Sequence, residues 1–226
     1  TEDSIASMLT CIKVWSNQFV LKQRDMTQTD LLRKVTRITP PEKTVDILTS
    51  AEIEQVIDSF GSVTFEDIRN RAFFSVLLTT GMRLREASEL TMDRWDVSNA
   101  RFTIHCKGDR IRYAVIGDRA LKFFQQYIRM RPKHTSNNVW LQRNGNTIGI
   151  DGWQMVFRRM KVQSGVTRVR AHLLRHTAGS VAINKGAERA LVQDMLGHAS
   201  DFMTRRYTRE ARKMTAAASM PQYSAM

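Results

Sequence analysis

A single run of the sequence, Ile68 to Thr79, is apolar on nearly every side of a helix. A helix without a polar face must be surrounded by other elements, so this run predicts the buried central helix of a globular domain. Its most apolar part, residues 72–78, is far shorter than the ~20 residues that a membrane-spanning helix needs. Thr80 and Gly81 end the pattern, and the rest of the domain is expected to pack around this helix.

The segments on both sides of the central run have mostly helical periodicity. Thr49 to Glu52 forms a capping box that opens a helix running through Phe60. Further helices are predicted at residues 82–90, 118–130 and 152–162, and from Ala171 onward with a break at Gly186.

Two β-rich segments interrupt this helical pattern. Residues 101–106 and 111–116 are separated by Lys107 to Arg110, which is typical of a β-hairpin. Val139 to Leu141 is predicted as a short third strand. The expected fold class is therefore mainly α with a small three-stranded antiparallel β-sheet (α+β).

The N-terminal part differs in character from this domain. Residues 4–20 place six apolar side chains at steps of three and four, which predicts a helix with one apolar stripe that needs a partner surface. Residues 21–45 are polar and basic and end after Pro40 and Pro41, so they are interpreted as a linker.

The charge of the chain points to a polyanionic partner. With 35 Lys and Arg against 22 Asp and Glu the net charge is +13, which favours nucleic acid and leaves an anionic membrane as the weaker alternative. Residues 152–187 carry seven basic and no acidic residues, and residues 205–213 add a second basic run. Either run alone is consistent with a solvated face, but the two together favour a phosphate-binding surface. Cys11 and Cys106 allow only one pairing, which suits a reducing cytosol, and no signal peptide is visible.

Several polar residues have spacings that suggest chemistry, although each has a simpler interpretation. They are Arg83, Lys107, His172, Arg175, His198 and Tyr207, with Glu86 and His176 beside them. Arg83 can simply pair with Glu86, Lys107 can be a solvated turn lysine, and Tyr207 can be a packing residue. His172 and His176 have metal-ligand spacing, but Leu173 stands where the metalloprotease pattern has Glu, so a metal is disfavoured.

Taken together, this set resembles the tyrosine recombinase (phage integrase) family. The resemblance rests on five stretches in the family's order and spacing: TGMRLREASEL (80–90), CKGDR (106–110), AHLLRHTAGS (171–180), VQDMLGHAS (192–200) and MTRRYT (203–208). It extends from about Ser50 to Arg212.

The resemblance implies a metal- and ATP-independent DNA strand transferase without a cofactor. Tyr207 would attack the scissile phosphate, forming a 3′-phosphotyrosyl intermediate and releasing a 5′-hydroxyl. Arg83 and Arg175 would bind the two non-bridging oxygens. Lys107 would protonate the leaving oxygen, while His172 would assist proton movement at Tyr207. The remaining implied roles are a hydrogen bond from His198 to the phosphate and orientation of the set by Glu86 and His176.

The resemblance also implies a domain organisation and partners. Residues 1–45 would be the last helix of a truncated core-binding domain plus its linker, and residues 46–226 the catalytic domain with a C-terminal tail. The expected partner is double-stranded DNA with inverted-repeat recombination sites, bound by a homotetramer on two sites. Without DNA a monomer or weak dimer is expected, in the cytoplasm at the nucleoid and without membrane association. The tail, residues 215–226, would dock in a neighbouring protomer or fray. The alternatives are a type IB topoisomerase, a non-catalytic DNA-binding protein of the same fold, and a metal-dependent nuclease.

Overall fold

The computed structural model describes residues 2–15, 46–106, 110–133 and 136–197. By its internal contacts the chain divides into two units, Thr1–Thr44 and Val45–Met226. In the first unit, helix α1 spans Glu2–Trp15. Four apolar residues of the predicted stripe are exposed: Ile5, Met8, Ile12 and Trp15. The linker prediction for residues 21–45 lies outside the described residues.

The second unit is built around the predicted central helix. Helix α2 spans Ser50–Ser59 and α3 spans Phe65–Thr80. The capping box before α2 is confirmed: the Thr49 hydroxyl accepts the Glu52 amide, and the Glu52 carboxylate accepts the Thr49 amide. Helix α3 is buried along most of its length, from Phe65 to Thr80, as its uniform apolarity predicts.

Helix α3 ends at Gly81, which has a φ of +61°. The next helix, α4, spans only Leu84–Ser88, inside the predicted 82–90. It is short at its start because Arg83 has an extended backbone and acts as the N-cap. This turn brings Arg83 to the C-terminal end of α3.

A three-stranded antiparallel sheet follows, with the order β1-β2-β3. Strand β1 spans Trp95–Asp96, β2 spans Arg101–Cys106 and β3 spans Arg110–Val115. The predicted hairpin is confirmed in its strands, whose register pairs Cys106 with Arg110. Its tip, residues 107–109, lies outside the described residues.

The prediction of a third strand at Val139–Leu141 is wrong, because β1 occupies that place in the sheet. All three residues of this segment are fully buried, so the segment has no alternating pattern. The hydroxyl of Tyr127 satisfies its backbone, donating to the Val139 carbonyl and accepting from the Leu141 amide, each at 2.9 Å. A run of three apolar residues can form a strand, but it can also form a buried loop whose backbone hydrogen-bonds to a side chain instead of a neighbouring strand. The sequence of the run does not distinguish the two.

The described part of the domain contains four more helices: α5 (Asp118–Met130), α6 (Ile150–Ser164), α7 (Ala171–Asn184) and α8 (Arg189–Leu196). The interior between α3, α5 and α6 is aromatic, with Phe73 stacked on Trp153 at 3.5 Å between ring centroids. Trp140 contacts both of these rings edge-on. This interior supports the helix ends at which the candidate site lies. The predicted fold class, mainly α with a small antiparallel sheet, is confirmed.

Candidate active site

Arg83 and Glu86 form a local pair at the start of α4. Glu86 accepts the Arg83 amide at 2.9 Å and the Arg83 guanidinium at 2.7 Å. The pairing considered for Arg83 from the sequence is therefore present, but the Arg83 side chain remains 52% exposed. A guanidinium that is hydrogen-bonded to a carboxylate through one nitrogen, and exposed to solvent on its outer side, is suited to binding an oxyanion.

Arg175 lies in α7 and is almost completely buried, at 4% exposure. Its guanidinium donates to the carbonyls of Gly81, at 2.7 Å, and of Leu196. These carbonyls stand at the C-terminal ends of α3 and α8, where helix carbonyls lack partners and the helix dipole is negative. One cation therefore holds three helices together at a single point.

His172 and His176 lie on the same helix as Arg175. Their rings meet edge-on, with 4.3 Å between centroids. Burial lowers the pKa of His172 below its usual range because a charged imidazole loses solvation there. Three nearby cations lower this pKa further: Arg175, Arg170 and Arg83. His172 is therefore held neutral near pH 7 and can accept a proton.

Arg112, on β3, belongs to the same cluster, and sequence reasoning missed it. Its side chain is 7% exposed and donates to Glu86 at 2.5 Å and to the Met195 carbonyl at 2.7 Å. Strand alternation was the signal that could have found it. Arg112 is two and four residues before the buried Ala114 and Ile116, so it is expected on the same face of the strand. An arginine on the inward side of a strand needs a buried acceptor.

The three arginines converge on the last turn of α8. The carbonyls of Met195, Leu196 and Gly197 accept from Arg112, Arg175 and Arg83 in that order, the last at 3.4 Å. Burial by itself would raise the pKa of Glu86. The hydrogen bond from the Arg83 backbone and the charges of Arg112 and Arg83 outweigh that effect, so this pKa lies below its usual range.

Five of the eight residues predicted from the sequence are described, and the structure brings them to this region. They are Arg83, Glu86, His172, Arg175 and His176. The other three, Lys107, His198 and Tyr207, lie outside the described residues. In the sequence, Lys107 directly follows β2, which ends at Cys106, and His198 directly follows Gly197, the last described residue after α8.

The basic residues of the run 152–187 have different environments in the structure. Arg168 is bound to Asp46 and Glu52, and Arg175 is buried in the site. Arg158, Arg159 and Arg170 are exposed. The first two lie on α6 and the third is the N-cap of α7, two residues before His172. Only part of this run can therefore contribute to a phosphate-binding surface.

Neither a metal-ligand cluster nor a membrane-spanning helix occurs among the described residues. Within the described ranges, no three His, Cys, Asp or Glu side chains come together as metal ligands would. Within the same ranges, no helix has the length and apolarity to cross a membrane. The expectation of a metal-free site stays a prediction.

A mainly helical domain with a three-stranded sheet and this cation cluster has the architecture of tyrosine recombinase catalytic domains. The fold is similar to that of XerA recombinase, with a TM-score of 0.69 at 21% identity over 99% of this chain and 85% of the other. It is also similar to the Tn1549 transposon integrase in complex with transposon right end DNA. That comparison gives a TM-score of 0.75 at 18% identity over 99% of this chain and 80% of the other.

Sequence comparison gives the family directly. The phage integrase family matches residues 46–214, and the chain belongs to this family. It is 30% identical to tyrosine recombinase XerC of Lactobacillus leichmannii over 164 residues, which are 70% of this chain and 56% of that protein. It is 27% identical to tyrosine recombinase XerD of Listeria innocua over 169 residues, 72% of this chain and 57% of that protein. The chain thus spans a little over half the length of the curated relatives it matches.

Proposed function

We propose that this chain cuts and rejoins DNA at specific sites through a covalent 3′-phosphotyrosyl intermediate at Tyr207. The observation that carries the proposal is the convergence of Arg83, Arg112 and Arg175 on the last turn of α8, immediately before His198. Membership of the phage integrase family supports the same chemistry.

The cleavage step follows from what each group can do. The Tyr207 oxygen forms a bond to the scissile phosphorus while the bond from phosphorus to the 5′-oxygen breaks. A phenol has a pKa of ~10 and is a weak nucleophile near pH 7, so His172, held neutral, accepts its proton. Lys107 gives a proton to the departing 5′-oxygen, which leaves as a hydroxyl.

Arginines stabilise the charge that develops at phosphorus in this step. Arg83 and Arg175 bind the non-bridging oxygens, and His198 donates a further hydrogen bond. These donors are positioned before the reaction, because Glu86 fixes Arg83 and two helix ends fix Arg175. The phosphotyrosine retains the bond energy, so a 5′-hydroxyl of another strand reverses the step without ATP or a metal.

The substrate in this proposal is double-stranded DNA with inverted-repeat sites, recombined by a homotetramer that is a monomer or weak dimer without DNA. The structure of XerH bound to palindromic difH substrate in a post-cleavage complex, with a TM-score of 0.69 at 21% identity, supports DNA as the substrate in this proposal. A protein acting in this way works at the nucleoid in the cytoplasm. Residues 1–45 would contribute a helix and linker of a second DNA-binding unit, which is supported by the family match beginning at residue 46.

The test is covalent capture on DNA in the presence of EDTA. The chain is incubated with nicked duplexes containing a randomised segment, and duplexes that remain bound after denaturation are sequenced to identify the site. The same site is then used to measure the rate of adduct formation.

The variant Tyr207→Phe should form no adduct, whereas Tyr113→Phe should match the unmodified chain. Tyr113 is a suitable control because it is exposed on β3. Cleavage that appears only when Mg²⁺ is added, or an adduct that survives Tyr207→Phe, would refute the proposal. A plasmid carrying two captured sites then separates recombination, which yields exchanged products, from topoisomerase activity, which yields relaxation alone.

A further inference from the structure

Arg112 is a buried cation for which the proposed chemistry has no direct role. Burying a guanidinium is unfavourable unless charged or polar partners replace the lost water. Arg112 has two such partners, the Glu86 carboxylate at 2.5 Å and the Met195 carbonyl at 2.7 Å. Its Nε is buried and has no hydrogen-bond partner among the described residues. A leucine or methionine would suit the core side of β3 better, so the arginine must serve these two contacts.

The first contact controls Glu86, and through it Arg83. Glu86 accepts three hydrogen bonds, from the Arg83 amide, the Arg83 guanidinium and Arg112. The Arg83 amide and Arg112 share the same oxygen, Oε2. Arg112 therefore fixes the carboxylate in the orientation that directs its other oxygen, Oε1, at the guanidinium of Arg83.

The second contact controls the end of α8. Arg112 binds the Met195 carbonyl, and the chain passes close to its guanidinium at Gly197. A Cβ added to Gly197 would lie 3.0 Å from the Arg112 Nε. The next residue along the chain is His198.

We propose that Arg112 is a positioning residue for DNA cleavage, which holds Arg83 through Glu86 and fixes the backbone at the end of α8. It does not contact the phosphate. This inference rests on the proposed function and adds to it a connection between the β-hairpin, α4 and the end of α8.

The test compares Arg112→Met and Arg112→Lys in the capture assay, with the site identified by the unmodified chain. Small displacements of a positioned group cost on the order of 100-fold in rate. We therefore expect Arg112→Met to cleave about 100-fold more slowly and Arg112→Lys about 10-fold more slowly, because lysine keeps the charge but reaches one acceptor only. The control is Arg168→Met, which removes a partly buried arginine paired with Asp46 and Glu52 and should change the rate less than about threefold.

A second substrate separates positioning of Arg83 from a general loss of structure. A methylphosphonate at the scissile position has one non-bridging oxygen replaced by a methyl group, so it lacks the negative charge that Arg83 neutralises. If Arg112 acts through Arg83, the deficit of each variant should shrink at least fivefold on this substrate. A merely structural role would give the same deficit on both substrates.

Each outcome of the experiment has one meaning. An Arg112→Lys or Arg112→Met variant with full activity, or with an equal deficit on the two substrates, overturns the inference and leaves the proposed function intact. Thermal unfolding followed by circular dichroism shows whether Arg112→Met is folded; if it is not, Arg112→Lys alone decides. Failure of the unmodified chain to form an adduct refutes the proposed function, and the inference falls with it.

Discussion

At the scale of single residues, the site depends on arginines placed where protein carbonyls are already negative. Arg175 lies against the C-terminal ends of two helices, which compensates the cost of burying its charge. Arg83 is different, since a carboxylate binds it directly and its outer side stays exposed. The two arginines expected to bind the same phosphate are therefore held by different means.

His172 provides a prediction at this scale. Burial and the neighbouring arginines lower its pKa, so its imidazole should lose its proton at a lower pH than an exposed histidine does. An NMR titration of the five histidine Hε1 signals, assigned with His172→Gln, measures this directly. In Arg170→Gln one of the cations is removed, so the pKa of His172 should rise toward the usual value. A pKa of His172 at or above the usual value for histidine, or no response to Arg170→Gln, would contradict the prediction.

The sequence predicted those site residues that lie in recognisable motifs, and not those whose role depends on distant contacts. Arg83, His172 and Arg175 belong to recognisable stretches, so they were found. Arg112 was not, because its role depends on contacts with residues 26 and 83 positions away. Only strand alternation indicated that it points inward, and an inward arginine is not by itself evidence of function.

At the scale of elements, helix ends position the site, and the sequence predicted these well. Thr49 and Gly81 have strong local preferences, as N-cap and left-handed C-cap, so the elements they delimit were predicted nearly correctly. The segment Val139–Leu141 had no such local signal. Its backbone partners include a tyrosine hydroxyl 12 residues from Val139 and the carbonyl of Leu90, and no local pattern encodes contacts of that kind.

Gly81 allows a prediction about one helix end. It has a φ of +61°, and a Cβ added there would lie 2.5 Å from a Leu196 side-chain carbon. Gly81→Ala should therefore combine backbone strain of about 1 kcal/mol with overpacking of about 1–3 kcal/mol. Urea denaturation measures the resulting free energy of unfolding.

The matched control for this prediction is Gly186→Ala. Gly186 has a φ of +88°, but a Cβ added there would meet no atom within 4 Å. The free energy of unfolding of this variant should fall only by the backbone strain, about 1 kcal/mol. Equal losses in the two variants would show that the contact between Gly81 and α8 does not contribute.

At the scale of the whole molecule, some of the excess cations make contacts within the fold and others are exposed to solvent. Some arginines hold the fold together by binding carboxylates, as Arg168 does with Asp46 and Glu52. Others are buried in the site, and a further group is exposed. The net charge of +13 alone could not distinguish these uses, because it counts every cation equally.

The pairing of Arg168 with Glu52 predicts how stability depends on pH. The bidentate hydrogen bond from Arg168, at 2.7 and 2.5 Å, lowers the pKa of Glu52 to about 2 from its usual 4.5. A carboxylate with a lowered pKa stabilises the folded state above pH 4.5, and this contribution is lost as the pH falls toward 2. Because both side chains are partly exposed, the contribution is about 1 kcal/mol.

Urea denaturation of Arg168→Met should therefore show a loss of about 1 kcal/mol at pH 6. At pH 3 most of the difference from the unmodified chain should disappear. Arg158→Gln, which changes an exposed arginine on α6, should show no such dependence on pH. A difference for Arg168→Met that grows as the pH falls would have the wrong sign and exclude this mechanism.

The exposed part of the basic run predicts the salt dependence of DNA binding. Each phosphate contact made by Lys or Arg releases condensed counterions, so the slope of log K against log salt concentration changes by about 0.9 per contact. Arg158 and Arg159 are adjacent and exposed on α6. The double variant Arg158→Gln, Arg159→Gln should therefore bind duplex DNA more weakly at low salt, with a slope shallower by about 1 to 2.

Arg168→Gln removes one positive charge from the same run, but that charge is already neutralised by Asp46 and Glu52. Its slope should stay the same, and fluorescence anisotropy between 50 and 300 mM salt, roughly the range in which counterion release is resolved, measures both variants. If Arg168→Gln changed the slope by as much per charge as the double variant does, binding would depend on total charge rather than on an exposed surface. If it changed only with Arg158 and Arg159, α6 would lie against the phosphate backbone, because a screened interaction at a distance contributes little at these salt concentrations.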